Sequence, residues 1–596
     1  MKRIGKTILV AVATACLISC DGLFDEVPTN KLSENTIWTS PQLLDEYILP
    51  WYDNMDNGFS TFVTTLMKGL GREYEPWFGD QITVSRSDWY TADYGNILKS
   101  SQQEITQRSR TQWLTYYTQV RSINNLLEHM DDIPEGEQKE RLKGEAHFFR
   151  AYYYYLLLRN FGGPLLITRT FDPLHEDSAA VRFPRASFEE TVNYIVSEAE
   201  LATQWLSDVN TLDNTGRPTK GAALTLAGKA YFWASGEHFQ NVPDSLPWLG
   251  FSDNRSIEML RNAEKEYDKV RELGLYSLMP VEGNTREDIV SGYRQIFLTK
   301  NSQESIWEVQ HADDGDFSDK NGHHLDQYAA APSFSGTYCA YVPTQNHVDE
   351  YRMLNGKSIK DKDSGYDSRH PYEGRDYRFY ANVLYDGAEW NGHVMDIHYT
   401  IDSTGTEIPG ADLTKYGAEE KACVTKTGYY MAKFLNEKNR IDNDENYGSG
   451  QNCIIWRWAE ILLDYAEIYY RTDRPDKAME MLNQIRERIH MPLYSTVSWD
   501  DIMNERRVEL AFEKTTYWDL LRYGTAEQVM TGKSNPLFGV KIVEQRDGSY
   551  TYKFDKVVNG RNTTTRYFRA RQYFKPIAWG DVRFHGIAQN PEWIEM

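Results

Sequence analysis

Cysteine is scarce here, five among 596 residues, which excludes a disulfide-built scaffold. Positive charge is in deficit as well: 65 Lys and Arg stand against 87 Asp and Glu, a formal charge of −22 with a pI near 5.1. So acidic a surface repels phosphate backbones, and non-specific nucleic-acid binding is set aside. Long apolar runs are missing. Ile8 to Leu17 is about ten residues, too short a helix for ~30 Å of hydrocarbon. A mean hydropathy of −0.63 with 40% hydrophobic residues fits neither a polytopic membrane protein nor a disordered chain. No P-loop, dinucleotide fingerprint or nucleophile elbow is present. Aromatic residues are what the chain has in excess: Tyr 40, Phe 24 and Trp 16 make up 13% of it. Its length allows roughly four domains at about 150 residues each, and a sizeable core.

The start of the chain reads as an address. Lys2, Arg3 and Lys6 precede the apolar run, the pattern of a secretory signal. The run ends in Leu17-Ile18-Ser19-Cys20, which resembles the lipobox of bacterial lipoproteins. That resemblance implies a signal peptide over 1–19, acylation of Cys20 and a tether over 20–40. Asp21, Asp25 and Glu26 resemble the surface-export signal of Bacteroidetes lipoproteins, which implies display on the cell exterior. Cys16 leaves with the signal. Cys339, Cys423 and Cys453 remain, enough for one disulfide at most.

The rest divides into three stretches. Over 41–235 the apolar spacing is helical. Glu145–Arg159 buries nearly its whole circumference, so the Tyr152–Tyr155 run is expected in the core. Ala223, Ala227, Ala230 and Ala234 form a small-residue face that lets a second helix approach closely. Over 236–450 Gly, Asp, Asn and aromatic residues dominate, which predicts a loop-rich binding lobe with short strands. Over 451–596 helices return. Trp456–Arg471 and a helix opened by Pro475 form an antiparallel hairpin, and Ser498 with Asp501 resembles a capping box for a helix running through Glu513. The expected class is mainly α, a tetratricopeptide-like scaffold of helical pairs carrying an insertion lobe.

Glu505-Arg506-Arg507-Val508-Glu509-Leu510-Ala511-Phe512-Glu513, followed by Trp518-Asp519-Leu520 and Arg522, resembles the C-terminal hallmark of the SusD/RagB family. RWAEILLDYAE at 457–467, LNQIRER at 482–488, MLNGK at 353–357, RDYRFYANVLYDG at 375–387 and TGYYMAKFLNEK at 427–438 agree in order and spacing. So do Gly79-Asp80 through Trp89-Tyr90, then Trp113 and Arg121 through Asn124. Lys514, Thr516 and Ala578 depart from the family's usual residues, which bears on local turns. The resemblance implies a non-catalytic surface lipoprotein without a cofactor. Such a protein captures oligosaccharides, or in some members peptides, and closes as a lid over a SusC-like TonB-dependent transporter of the outer membrane.

A sugar site needs flat aromatic faces for the C–H side of a pyranose and polar groups for its hydroxyls. Trp77, Trp89 and Tyr90 lie in a polar early loop with Asp80 and Arg86. Trp248, Tyr328, Phe334, Tyr338, Tyr341 and Trp390 lie in the lobe, where Gln327 and Gln345 could meet hydroxyls. By analogy with the family, Trp89 with the 323–345 loop is the best candidate. The Glu505–Glu513 stretch reads instead as a salt-bridged structural face. Metal patterns are out of register: Asp314, Asp316 and Asp319, and again Asp442, Asp444 and Asn446, lack the Gly of a calcium loop. His311, His323 and His324 lack zinc spacing. A surface glycosidase is the alternative; it would need two carboxylates about 5–9.5 Å apart.

Overall fold

The computed structural model describes residues 34–55, 79–85, 102–171, 184–312, 322–323, 325–334, 337, 339, 341–414, 424–438, 449–532, 535–557 and 568–593. Helices Gln102–Glu128, Glu137–Phe161, Phe188–Ala202, Lys220–Ala234 and Ser256–Glu272 follow one another, each packed on the next. This is the tetratricopeptide-like scaffold of helical pairs. Glu137–Phe161 is its spine. Tyr152 to Tyr155 are all buried, as expected, and Trp307 meets the Phe148 ring edge-on at 4.9 Å. Even Arg150 is buried, because it donates to Glu198 at 2.7 and 2.8 Å and so keeps its charge paired. The small face of Lys220–Ala234 serves close packing: a Cβ on Gly228 would stand 2.3 Å from the Tyr267 ring.

The helical part continues into the stretch read as loop-rich from 236. Ser256–Glu272 and Arg286–Leu298 are regular helices. In the first, Met259, Leu260, Ala263, Tyr267 and Val270 make a narrow buried stripe amid charged residues, too thin to dominate the composition. In the second, Thr285 and Asp288 form a capping box.

Beyond Leu298 the lobe has short strands, as expected. Ser305–Val309 pairs antiparallel with Cys453–Arg457, and Ile82–Val84 with Tyr341–Pro343. A four-stranded sheet orders Tyr550–Lys556, Phe538–Glu544, Tyr399–Ile401 and Glu407–Pro409.

Trp458–Arg471 then packs on Pro475–Arg488, Trp499–Glu509 and Ser256–Glu272. Pro475 sits in the first turn, and the Ser498–Asp501 capping box is present. That helix stops at Glu509 rather than Glu513, because Phe512 and Lys514 adopt left-handed φ values of 65° and 73°. The charged hallmark is not a solvated face: Glu505, Arg506 and Glu509 are buried. Arg457 and Arg488 donate to Glu509 at 2.9 and 2.5 Å, and Arg378 to Glu505 at 2.6 Å. Among the described residues no helix is long and apolar enough to cross a membrane. Cys339 and Cys453 are buried, and Cys423 lies outside the described residues.

Candidate ligand-binding groove

The early segment and the lobe meet in one short ladder. Ile82, Thr83 and Val84 pair with Pro343, Val342 and Tyr341. Gln81, just before the ladder, is buried and tied on several sides. Its Nε2 donates to the Arg507 carbonyl at 2.9 Å, and its Oε1 accepts from Thr516 Oγ1 at 3.0 Å. Thr344, just after the ladder, donates its N–H to the Gln81 carbonyl at 2.9 Å and caps the short helix Gln345–Val348. The hallmark helix therefore holds both strands at their base.

At that end of the ladder opens a groove of about 1000 Å³. This is at the upper end of ordinary ligand clefts. Asp80 and Gln345 stand in its wall with Tyr366, Phe538 and Phe554, the last 37% exposed. Ser358, Lys360, Ser368 and Asn504 add hydroxyl, ammonium and amide groups. Carboxylates outnumber cations. Burial pushes the Asp349 carboxyl up, against the opposing pull of its bond from Gln345. Burial also opposes the Arg507 charge, yet Asp80 and Glu350 overcome it and hold the guanidinium firmly protonated. Such a groove can accept and donate hydrogen bonds and offer ring faces to an uncharged polar ligand.

The residues expected at the site fall differently. Asp80 lines the groove but is committed to Arg507 at 2.6 Å. Gln345 also lines it at 4% exposure, with Nε2 given to Asp349 at 2.7 Å and Oε1 accepting from Tyr429 at 2.5 Å. Tyr341, also 4% exposed, is a core ring. Trp390 is buried beneath the Arg294 guanidinium, 4.1 Å from its centroid. Trp248 is half-buried beneath Arg185, and Phe334 is half-buried edge-on to His393. Trp77, Trp89, Tyr90, Tyr338 and Arg86 lie outside the described residues, as do Cys20, His324, both aspartate runs and the side chains of Gln327 and Tyr328. Sequence reasoning missed Tyr366, Phe538, Phe554 and Arg352. The alternation of Tyr550, Tyr552 and Phe554 along one strand was a usable signal.

Among the described residues, Asp386, Asp396 and His398 form one group whose ligand atoms lie within 4.8 Å of one another. It is closed by its own ion pairs, His398 Nδ1 standing 2.9 Å from Asp386 and 3.4 Å from Asp396. The His311 and His323 rings meet edge-on at 4.9 Å, and burial pulls the His311 imidazole down to about 4.

Two family models match the chain: the SusD family over residues 303–593, and a family described as starch-binding and associating with the outer membrane over 24–232. SusD-like protein P38 of Formosa agariphila is 22% identical over 558 residues, covering 91% of this chain and 95% of the relative. Among solved structures, a SusD-like protein from Bacteroides fragilis superposes with a TM-score of 0.70 at 23% identity, covering 94% of this chain and 98% of that one. A laminarin-binding SusD-like protein superposes at 0.59 and 18% identity, covering 93% of this chain and 100% of its own.

Proposed function

This chain belongs to the SusD family, and on that premise we propose that it captures oligosaccharides at the outer membrane without chemically altering them. It is held there by acylated Cys20, faces the cell exterior, and hands its cargo to a SusC-like TonB-dependent transporter over which it closes as a lid. The description of the matching N-terminal family and the laminarin binding of a structural relative support carbohydrate as the cargo.

The observation that carries this reading is the pairing of Val84 with Tyr341. Two segments about 260 positions apart become neighbours there, with Trp89 following Val84 and Tyr338 preceding Tyr341 in the sequence. The groove with Asp80 and Tyr366 opens at the other end of a ladder three residues long, roughly 7 Å away. Asp80 from the early segment, Tyr366 from the lobe and Phe554 from the C-terminal strand line that one groove, which supports the polar groups and ring faces that pyranose recognition requires.

The test is incubation of the purified mature chain with labelled neutral oligosaccharides and with a peptide panel. Saturable glycan binding with every oligosaccharide recovered intact is expected. Release of shortened products would replace capture by glycosidase activity, and binding confined to peptides would change the cargo.

A further inference from the structure

A second cavity lies behind the hallmark turn, away from the groove. It measures 140 Å³ and is walled by Tyr152, Tyr155, Trp233, Trp456, Phe512 and Trp518. Trp518 and the 513–515 turn are half-buried, so the cavity reaches the surface along that edge. Three cations of the wall are paired. Lys229 donates to Glu460 and Asp464 at 2.5 and 2.6 Å, Arg506 to Asp519 at 2.6 Å, and Arg522 to Glu467 at 2.6 Å.

Arg159 differs. It stands in the last turn of Glu137–Phe161, its guanidinium 4.1 Å from the Trp518 ring centroid and 4.6 Å from that of Tyr155. It has no acidic partner among the described residues, and its Nε is buried without an acceptor. Trp233, 4% exposed, also lines the cavity, and its indole N–H is buried and unbonded. Among the described residues, no buried side-chain acceptor of the wall is left unbonded. Buried donors without acceptors carry a cost that a ligand oxygen relieves. A guanidinium cannot lose its proton, so the relief it fits best is a planar anion.

We propose that this cavity is a binding site for a small carboxylate built on a single ring. The carboxylate takes its hydrogen bonds from Arg159 and Trp233, and the ring lies against the aromatic wall. The size fits: an engineered cavity of about 150 Å³ in another protein holds benzene. The charge fits as well. Glu460, Glu513 and Asp519 also line the cavity, so a doubly charged phosphate meets about twice the repulsion that a monoanion does.

The experiment titrates the full mature chain with benzoate and with glucuronate, followed by tryptophan fluorescence and calorimetry, with benzyl alcohol and glucose as uncharged controls. Either carboxylate should bind at least tenfold more tightly than its control. Benzoate winning marks a non-sugar acid and glucuronate a uronic sugar. Arg159→Gln should weaken binding at least tenfold at an unchanged melting temperature. Trp233→Phe keeps the ring, removes one neutral donor and should weaken binding about threefold to tenfold. It carries the test should Arg159→Gln not fold. Equal binding of the uncharged controls, unchanged affinity in whichever variant folds, or no carboxylate binding up to about 10 mM would each overturn the proposal.

Discussion

Arg507 donates to Asp80 at 2.6 Å although the two residues are 427 positions apart. The same guanidinium donates through Nε to Glu350 at 2.6 Å, so one side chain of the hallmark helix pins the early segment and the lobe together at the groove. Arg507→Gln leaves two carboxylates facing each other without their cation. Hydrogen bonds to charged groups contribute about 1.5–3 kcal/mol, so a stability loss of that order is expected in urea unfolding. Glycan affinity should fall with it, because Asp80 lines the groove. Unchanged stability and affinity would show that the ladder holds without this clamp.

The buried ion pairs make stability depend on acid. Burial raises the Glu467 carboxyl, but the Arg522 charge and hydrogen bonds outweigh it and hold it at about 2. Glu509 lies well below its usual value: burial opposes this, and Arg488, Arg457 and Arg378 prevail. A folded value below the unfolded one, about 4.3, means the stabilisation is complete above that pH and disappears as pH falls through the folded value. For Glu467 alone this amounts to roughly 3 kcal/mol. The urea midpoint should therefore drop steeply between about pH 4 and pH 2. Glu467→Gln should start lower, by up to about 3–5 kcal/mol, because the buried Arg522 keeps only its longer ion pair with Asp519 at 3.2 Å, and should fall less steeply. A wild-type midpoint independent of pH in that window would contradict the network.

Helical periodicity made the scaffold readable. The all-round burial of Glu145–Arg159, the alanine face after Thr219, Pro475 in the first turn and the Ser498 capping box are local signals, and local physics decides them. Ser256–Glu272 escaped because five apolar residues buried on one side carry little weight against a charged remainder. The groove was half-legible. Asp80 and Gln345 do line it, but the residues that commit them, Arg507 and Tyr429, lie far along the chain. Burial hid Tyr341 and Trp390 for the same reason: exposure is set by tertiary packing, which aromatic composition does not encode.

Close helix packing gives a sharper test. A Cβ at Gly228 would come within 2.3 Å of the Tyr267 Cε1 atom, and Tyr267 is itself fixed by donating to Asp464 at 2.8 Å. In an exposed helix Gly→Ala would help stability, by up to about 1 kcal/mol. Here overpacking wins, and Gly228→Ala should destabilise by about 1–3 kcal/mol in thermal unfolding. A gain in stability would mean the two helices can separate at little cost.

The anchor is tested at Cys20. Cys20→Ala should yield a secreted chain that takes up no fatty acid in metabolic labelling, since acylation needs the thiol. Label persisting on the variant would place the lipid elsewhere.

The last test concerns Trp89 and Tyr338, which follow Val84 and precede Tyr341 in the sequence. A capture protein must release its cargo, so a dissociation constant between roughly micromolar and millimolar is expected, about −8 to −4 kcal/mol. Within so small a total one well-placed stacking ring carries about 2 kcal/mol. Removing it should weaken binding roughly 30-fold, since each 1.4 kcal/mol is about tenfold. Trp89→Ala combined with Tyr338→Ala should therefore abolish detectable oligosaccharide binding in calorimetry while the helical circular-dichroism spectrum is kept. Loss of that spectrum would make the rings part of the core. A full spectrum with unchanged affinity would move the stacking platform to the groove, where Tyr366 and Phe554 are the rings to remove next.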